Sequence, residues 1–189
     1  MNRLGCWLLA FFVVVVGGFL LLSRCGWSPV RTDVGPAPAP QATASAPGKL
    51  VIPVAGVKPE SLYDSFNEAR GGGTRSHGAQ DIMAPRGTPV LAAAAGKVEK
   101  IFESENGGHT VYIRSGDGGT VYYYAHLDSY ADGLHEGRAI AQGEIIGTVG
   151  STGDADPTAP HLHFEVKRMA PGEKWHQGTA VNPYPLLAG

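Results

Sequence analysis

His161-Leu162-His163-Phe164-Glu165-Val166 alternates polar and apolar side chains, the pattern of a strand with one face buried. Successive strand side chains point to opposite faces, so His161, His163 and Glu165 share one face while Leu162, Phe164 and Val166 bury the other. Two imidazoles held side by side on a strand allow one to hold a metal while its neighbour works on whatever the metal binds. A second stretch, His77-Gly78-Ala79-Gln80-Asp81, adds a nitrogen donor and an oxygen donor of the kinds that bind zinc. Three protein ligands plus one water make zinc a hydrolytic catalyst, and the two stretches together contain the parts of such a centre.

Outward from these stretches the chain reads as mainly β. Short alternating runs lie at 88–93, 96–102, 110–114, 120–127 and 144–149, and Ser115-Gly116-Asp117-Gly118-Gly119 suits a hairpin loop. Many short strands punctuated by glycine predict an antiparallel sheet. Residues 57–70 predict one short helix opening near Pro59 and ended by Gly71-Gly72-Gly73. Gly78 and Pro85 argue against a helix across 77–81, so that stretch reads as a turn leading into a strand. In Val121-Tyr122-Tyr123-Tyr124-Ala125-His126-Leu127, alternation puts Tyr122, Tyr124 and His126 on one face, where the tyrosines would either line a groove or simply pack in the sheet. Arg75, two residues before His77, either meets a substrate carboxylate or is simply solvated, while His109, His135 and His176 have no such context and read as surface residues.

Charge excludes some partners. From residue 50 onward there are 11 Lys and Arg against 16 Asp and Glu, so nothing steers this part toward nucleic acid. Both cysteines, Cys6 and Cys25, precede it, which rules out a disulfide framework or a thiolate zinc site within it. A lipoyl-like carrier barrel needs a lysine at a hairpin tip, and none lies between Lys100 and Lys167.

Residues 1–5 read as a short cytoplasmic N-terminus. Cys6 to Leu22 is an uncharged apolar run of 17 residues, long enough to cross a bilayer with a little help from its flanks. The first expectation is a transmembrane signal-anchor helix over 6–23, giving a single-pass protein of the cell inner membrane with its domain in the periplasm or another extracytoplasmic space. A cleaved signal peptide and a lipid anchor are the alternatives, and each also exports the remainder of the chain. Residues 24–49, rich in Pro and Ala, read as an extended linker, and 50–189 as the folded domain.

The three histidine-bearing segments, in order, resemble the lysostaphin-type (LytM-type) zinc metallopeptidases, bacterial enzymes that cut peptide bonds in peptidoglycan. The pattern His-x-x-x-Asp, a strand ending in His, and His-x-His stands here as His77/Asp81, His126 and His161/His163. Asp81-Ile82-Met83-Ala84-Pro85-Arg86-Gly87, Tyr123-Tyr124-Ala125-His126-Leu127, Gly147-Thr148-Val149-Gly150-Ser151-Thr152-Gly153 and Pro160-His161-Leu162-His163-Phe164-Glu165 extend the likeness over roughly 50–185. One departure stands out: the family commonly has glycine two residues after the first His, whereas here Gly78 follows directly and Ala79 comes next.

The resemblance implies that Zn²⁺ is bound by His77, Asp81 and His163, with His161 and His126 as the catalytic pair. Either histidine could serve as general base, the other then assisting at the oxyanion or in proton transfer. The implied fold is a lysostaphin-type peptidase domain with a substrate groove. The implied partners are peptidoglycan stem and cross-bridge peptides, with the membrane contacted through the N-terminal helix, no nucleic acid, and room for a regulatory protein. The alternative is a non-catalytic member of the same fold that binds the cell wall and activates another hydrolase.

Overall fold

The computed structural model describes residues 49–70 and 72–189. The expected N-terminus, anchor and almost all of the linker lie outside the described residues. Among the described residues no helix is long and apolar enough to cross a membrane.

Among the described residues, eleven strands follow one 3₁₀ turn at Pro59–Ser61: β1 (Ala69–Arg70), β2 (Arg75–Ser76), β3 (Gln80–Met83), β4 (Pro89–Leu91), β5 (Gly96–Ser104), β6 (Gly108–Ser115), β7 (Thr120–Tyr130), β8 (Ala139–Ile140), β9 (Ile145–Val149), β10 (His161–Arg168) and β11 (Thr179–Val181), then a short helix α1 (Tyr184–Ala188). β1 and β2 form a two-stranded hairpin. The rest make one antiparallel sheet in the order β11-β10-β7-β6-β5-β8, with β3 added to β10, β9 to β7 and β4 to β9. β10 pairs with β7 along one edge, and along the other with β3 over its first half and β11 over its second. Three elements therefore meet at His161–Phe164.

The alternation along β10 decides what faces where. Leu162 and Phe164 are wholly buried and Val166 nearly so, joining Ile82, Val90, Val111, Ile113, Tyr124, Leu127 and Ile146 in one core. Each such side chain removed from water contributes roughly 1.5–3 kcal/mol, which fixes the register of β10 and turns His161, His163 and Glu165 to the opposite face.

Two expectations change. The helix over 57–70 shrinks to the turn at Pro59–Ser61, because beyond it Leu62 is drawn into the core and the Asp64 side chain accepts the Phe66 N–H at 3.1 Å, a local bond that competes with helix. Tyr122 and Tyr124 of β7 share a face as the sequence predicts, but His126 does not join them, and the two tyrosines pack in the sheet and do not line a groove. Residues Ala125 and His126 together oppose the single Thr110 of β6, a bulge that adds one residue to β7 and reverses the facing of everything beyond it. Tyr124 is consequently in the core, its hydroxyl accepting the Ala93 N–H at 2.9 Å, and Tyr122 is buried too. Tyr123 takes the face that His126 occupies, so it and not Tyr122 or Tyr124 lines the groove.

Candidate metal centre

Asp81 of β3 and His163 of β10 are direct cross-strand partners. Their side chains meet with His163 Nδ1 3.2 Å from Asp81 Oδ1. His77 sits in the turn between β2 and β3. Gly78, at φ 73°, makes that turn possible, a left-handed conformation that a side chain would resist. Ala79, the residue after it, is simply buried. The His77 ring is returned to the cluster, with Nε2 3.0 Å from His163 Nδ1 and 3.0 Å from Asp81 Oδ1.

Each ring spends one nitrogen on the scaffold. A nitrogen that faces a carbonyl oxygen must carry the proton, since the oxygen only accepts. His77 Nδ1 donates to Ser65 O at 3.0 Å, His161 Nδ1 to Ala159 O at 2.9 Å, and His126 Nδ1 to Thr152 O at 2.8 Å. His163 is turned the other way, its Nε2 bound to Glu165 Oε1 at 3.2 Å, and Glu165 is held in turn by Lys167 at 3.1 Å. With the rings in their neutral forms, what remains for the cleft is a set of lone pairs: Nε2 of His77, His126 and His161, and Nδ1 of His163.

Three of these atoms suit a cation. His77 Nε2, Asp81 Oδ1 and His163 Nδ1 stand 3.0–3.2 Å from one another, mutually repulsive unless something positive sits among them. In a tetrahedral zinc site with bonds of roughly 2.0–2.1 Å the donors are about 3.3 Å apart, so spacing and donor type both fit. Proton affinities point the same way. Burial opposes the charge of Asp81, but hydrogen bonds and charge from His163 and His77 outweigh it and hold the carboxyl well below the usual range. Burial likewise pushes His163 down, while hydrogen bonds to Asp81 and Glu165 and their charges bring it up to about 9. Two nitrogens and one carboxylate oxygen, with the second nitrogen of His163 on another carboxylate, make a nest for a positive ion.

The remaining two histidines stand beside it. His161 Nε2 lies 3.8 Å from Asp81 Oδ1. The His126 ring is 5.0 Å from that of His161 and 5.5 Å from that of His163. Burial lowers the pKa of His126, the charges of His163 and His161 add to that, and the Thr152 hydrogen bond opposes it. Its backbone has φ 59°, the only non-glycine residue in the left-handed region among the described residues. The bulge and this turn aim the ring into a cleft of about 350 Å³ lined also by Arg70, Tyr123, Asn106, Asp154 and Asp156. Neighbouring loops hold it there: His126 N donates to Gly107 O at 2.8 Å, and a methyl on Gly153 would run into the Asn106 carbonyl and the Gly108 amide.

All five residues singled out by the sequence thus converge on one cleft. His135 and His176 are exposed as expected, whereas His109 is half-buried against Tyr130, ring centroids 5.4 Å apart. The Arg75 side chain lies outside what is described. Arg70, its partner across the β1–β2 hairpin, is the arginine at the centre, 2.7 Å from Asp81 Oδ2. Nothing in the spacing of Arg70 and Asp81 signals this contact, since a hairpin separates them. Glu165 was visible as a same-face neighbour of His163, though not as its hydrogen-bond partner.

The profile of peptidase family M23 matches residues 75–183. The L-Ala--D-Glu endopeptidase of Bacillus subtilis is 36% identical over 133 residues, covering 67% of this chain and 39% of that protein. The peptidoglycan DD-endopeptidase ShyC of Vibrio cholerae is 39% identical over 94 residues, covering 50% of this chain and 21% of that one. The chain therefore spans well under half the length of these relatives. Among solved structures, the catalytic domain of lysostaphin from Staphylococcus simulans superposes with a TM-score of 0.55 at 32% identity, covering 68% of this chain and 90% of that domain.

Proposed function

This chain belongs to peptidase family M23, and from that premise we propose that it is a zinc-dependent endopeptidase hydrolysing peptide cross-links of bacterial peptidoglycan. The observation that carries the reading is the convergence of three metal-type donors with two further imidazoles, each turned into the same cleft by a scaffold carbonyl on its other nitrogen. His77 Nε2, Asp81 Oδ1 and His163 Nδ1 would hold the ion. Zinc bound there polarises the scissile carbonyl and brings the pKa of a water toward about 7.

The protein's own groups supply the proton traffic. His161 and His126 each direct Nε2 into the cleft, where it can accept the proton of the attacking water and return it to the leaving amine. Whichever does not take that proton is placed to donate to the developing oxyanion once protonated. Substrate peptide would lie along the cleft past Tyr123, whose ring centroid is 6.0 Å from that of His163. A non-catalytic wall-binding member would have no use for His126 held in a backbone conformation that costs roughly 1–2 kcal/mol. The names of the relatives, an L-Ala--D-Glu endopeptidase and a DD-endopeptidase, support stem and cross-link peptides as the substrate class. The same reading has the domain working outside the cytoplasm, on the strength of the uncharged run Cys6 to Leu22.

The test is purified full-length chain on purified sacculi, with metal analysis alongside. One zinc per chain and release of peptide fragments are expected, both lost in His163→Ala. Cleavage by a metal-free His163→Ala protein would end the reading.

A further inference from the structure

Asp81 has two carboxylate oxygens, and they are treated differently. Oδ1 faces His77 Nε2 at 3.0 Å and His163 Nδ1 at 3.2 Å, whereas Oδ2 faces away, taken by an Arg70 guanidinium nitrogen at 2.7 Å. The other terminal nitrogen of Arg70 binds Glu68 Oε2 at 2.9 Å. Glu68 also acts through its backbone, its carbonyl accepting the His77 N–H at 2.8 Å. One residue of the strand-flanking segment therefore supports both a candidate ligand, His77, and the arginine that grips another.

We propose that Arg70 is a positioning residue that makes Asp81 a one-oxygen ligand, keeping Oδ2 off the metal so that a coordination position stays open for water. The inference rests on the zinc reading of the site. A carboxylate beside a divalent ion can bind through one oxygen or both, and the second oxygen would occupy the position a hydrolytic site must leave free. A charge-assisted bond at 2.7 Å to that second oxygen settles the choice. Arginine suits the task because its planar fork reaches two carboxylates at fixed angles, and Glu68 on the other tine stops the guanidinium from swinging into the cleft. Partial burial strengthens the contact: the Asp81 side chain is 11% exposed and that of Arg70 34%. The hairpin β1–β2 has an evident use in this light. It folds Arg70 back over the start of β3, eleven residues on, where a longer or straighter segment would carry it past the site.

The test compares full-length wild type with Arg70→Lys, Arg70→Met and Glu68→Gln. Zinc affinity is read by competition with a chromophoric chelator, coordination number by the visible absorption of the Co²⁺-loaded protein, and folding by the melting temperature of the metal-free form. Partners of this kind change metal affinity by about 10–100-fold, and a loss of that size is expected in Arg70→Met, with a weaker, higher-coordinate cobalt spectrum and an unchanged apo melting temperature. Arg70→Lys keeps one donor on Oδ2 and should recover most of the affinity and the wild-type spectrum. Glu68→Gln, which leaves Arg70 in place, should show a smaller loss and carries the test if Arg70→Met does not fold. Zinc affinity within twofold of wild type and an unaltered cobalt spectrum in Arg70→Met would overturn the inference even if hydrolysis fell, because Arg70 would then be acting on substrate. A wild-type chain that takes up no zinc sinks the parent reading and this one together, while normal wild-type uptake unmoved by the variants sinks this one alone.

Discussion

Along one wall of the cleft, β3 and β10 run in plain antiparallel register, and Asp81 faces His163 because strand alternation puts it there. Along the other wall β7 leaves its register. A bulge at Ala125–His126, a left-handed backbone at φ 59° and a tight loop junction at Gly153 bring His126 round to face its counterparts. The first wall is stabilised by the same burial that holds the core, since every residue it presents has an apolar neighbour pinned behind it. The second is strained, and loop contacts hold the strain in place. We expect metal binding and proton handling to separate along this line: ligand geometry should survive damage to the β7 wall, and His126 should be movable without loss of metal.

The largest effect should come from taking the metal away. Chelation is expected to abolish hydrolysis, with full recovery on adding Zn²⁺, yet the sheet should remain folded because its core lies on the opposite face of β10. Zinc at a thousandfold excess over its Kd would stabilise the folded chain by about 4 kcal/mol, so the melting temperature should fall when it is removed. A chain that unfolds completely on chelation would show the ligand wall to be held by the ion and not by the sheet. His126→Ala comes next: activity on sacculi should drop by about 10²–10⁴-fold while zinc stoichiometry stays at wild type, as measured by metal analysis of the same preparation. Loss of zinc in that variant would merge the two walls into one unit. Gly153→Ala is a milder blow to the same wall. The added methyl meets the Asn106 carbonyl and Gly108 amide and must displace the loop whose Thr152 carbonyl orients His126. A loss of about tenfold in kcat/KM, with zinc affinity intact, is expected from such a misplacement of a proton-transfer group.

This division also explains what could be read from the chain. The register wall was legible: alternation in His161-Leu162-His163-Phe164-Glu165-Val166 predicts which side chains face the cleft, and β10 obeys it. Most strand positions were legible as well, since the runs at 96–102, 110–114 and 120–127 all became strands, each extended by a few residues. The β7 wall was not. Period-two reasoning carried Tyr122, Tyr124 and His126 to one face, and a single inserted residue at the bulge sent both tyrosines into the core and Tyr123 to the cleft. A bulge leaves no local signature here, since the segments that contact it, Gly107–Gly108 and Thr152–Gly153, come from other parts of the chain. Arg70 was hidden for a similar reason: its link to Asp81 passes through a hairpin of two-residue strands, too short for any pattern.

The smallest predicted effect bears most directly on the contrast between the walls. A left-handed backbone costs an L-residue roughly 1–2 kcal/mol, which the short amide of asparagine offsets by hydrogen-bonding locally. His126→Asn removes an imidazole whose backbone is strained and whose buried ring, 7% exposed for the residue as a whole, rests on one scaffold hydrogen bond to Thr152. The shorter amide keeps a donor that can reach toward the same carbonyl, so relief of backbone strain should slightly exceed the lost packing. The metal-free protein should then gain stability, by about 1 kcal/mol or less, in denaturant titrations, even as hydrolysis falls with that of His126→Ala. The same substitution at His163, which sits in unstrained strand backbone, should give no such gain. If His126→Asn destabilises the apo form by more than about 1 kcal/mol, the bulge is a packing device and the β7 wall is not strained for the sake of its histidine.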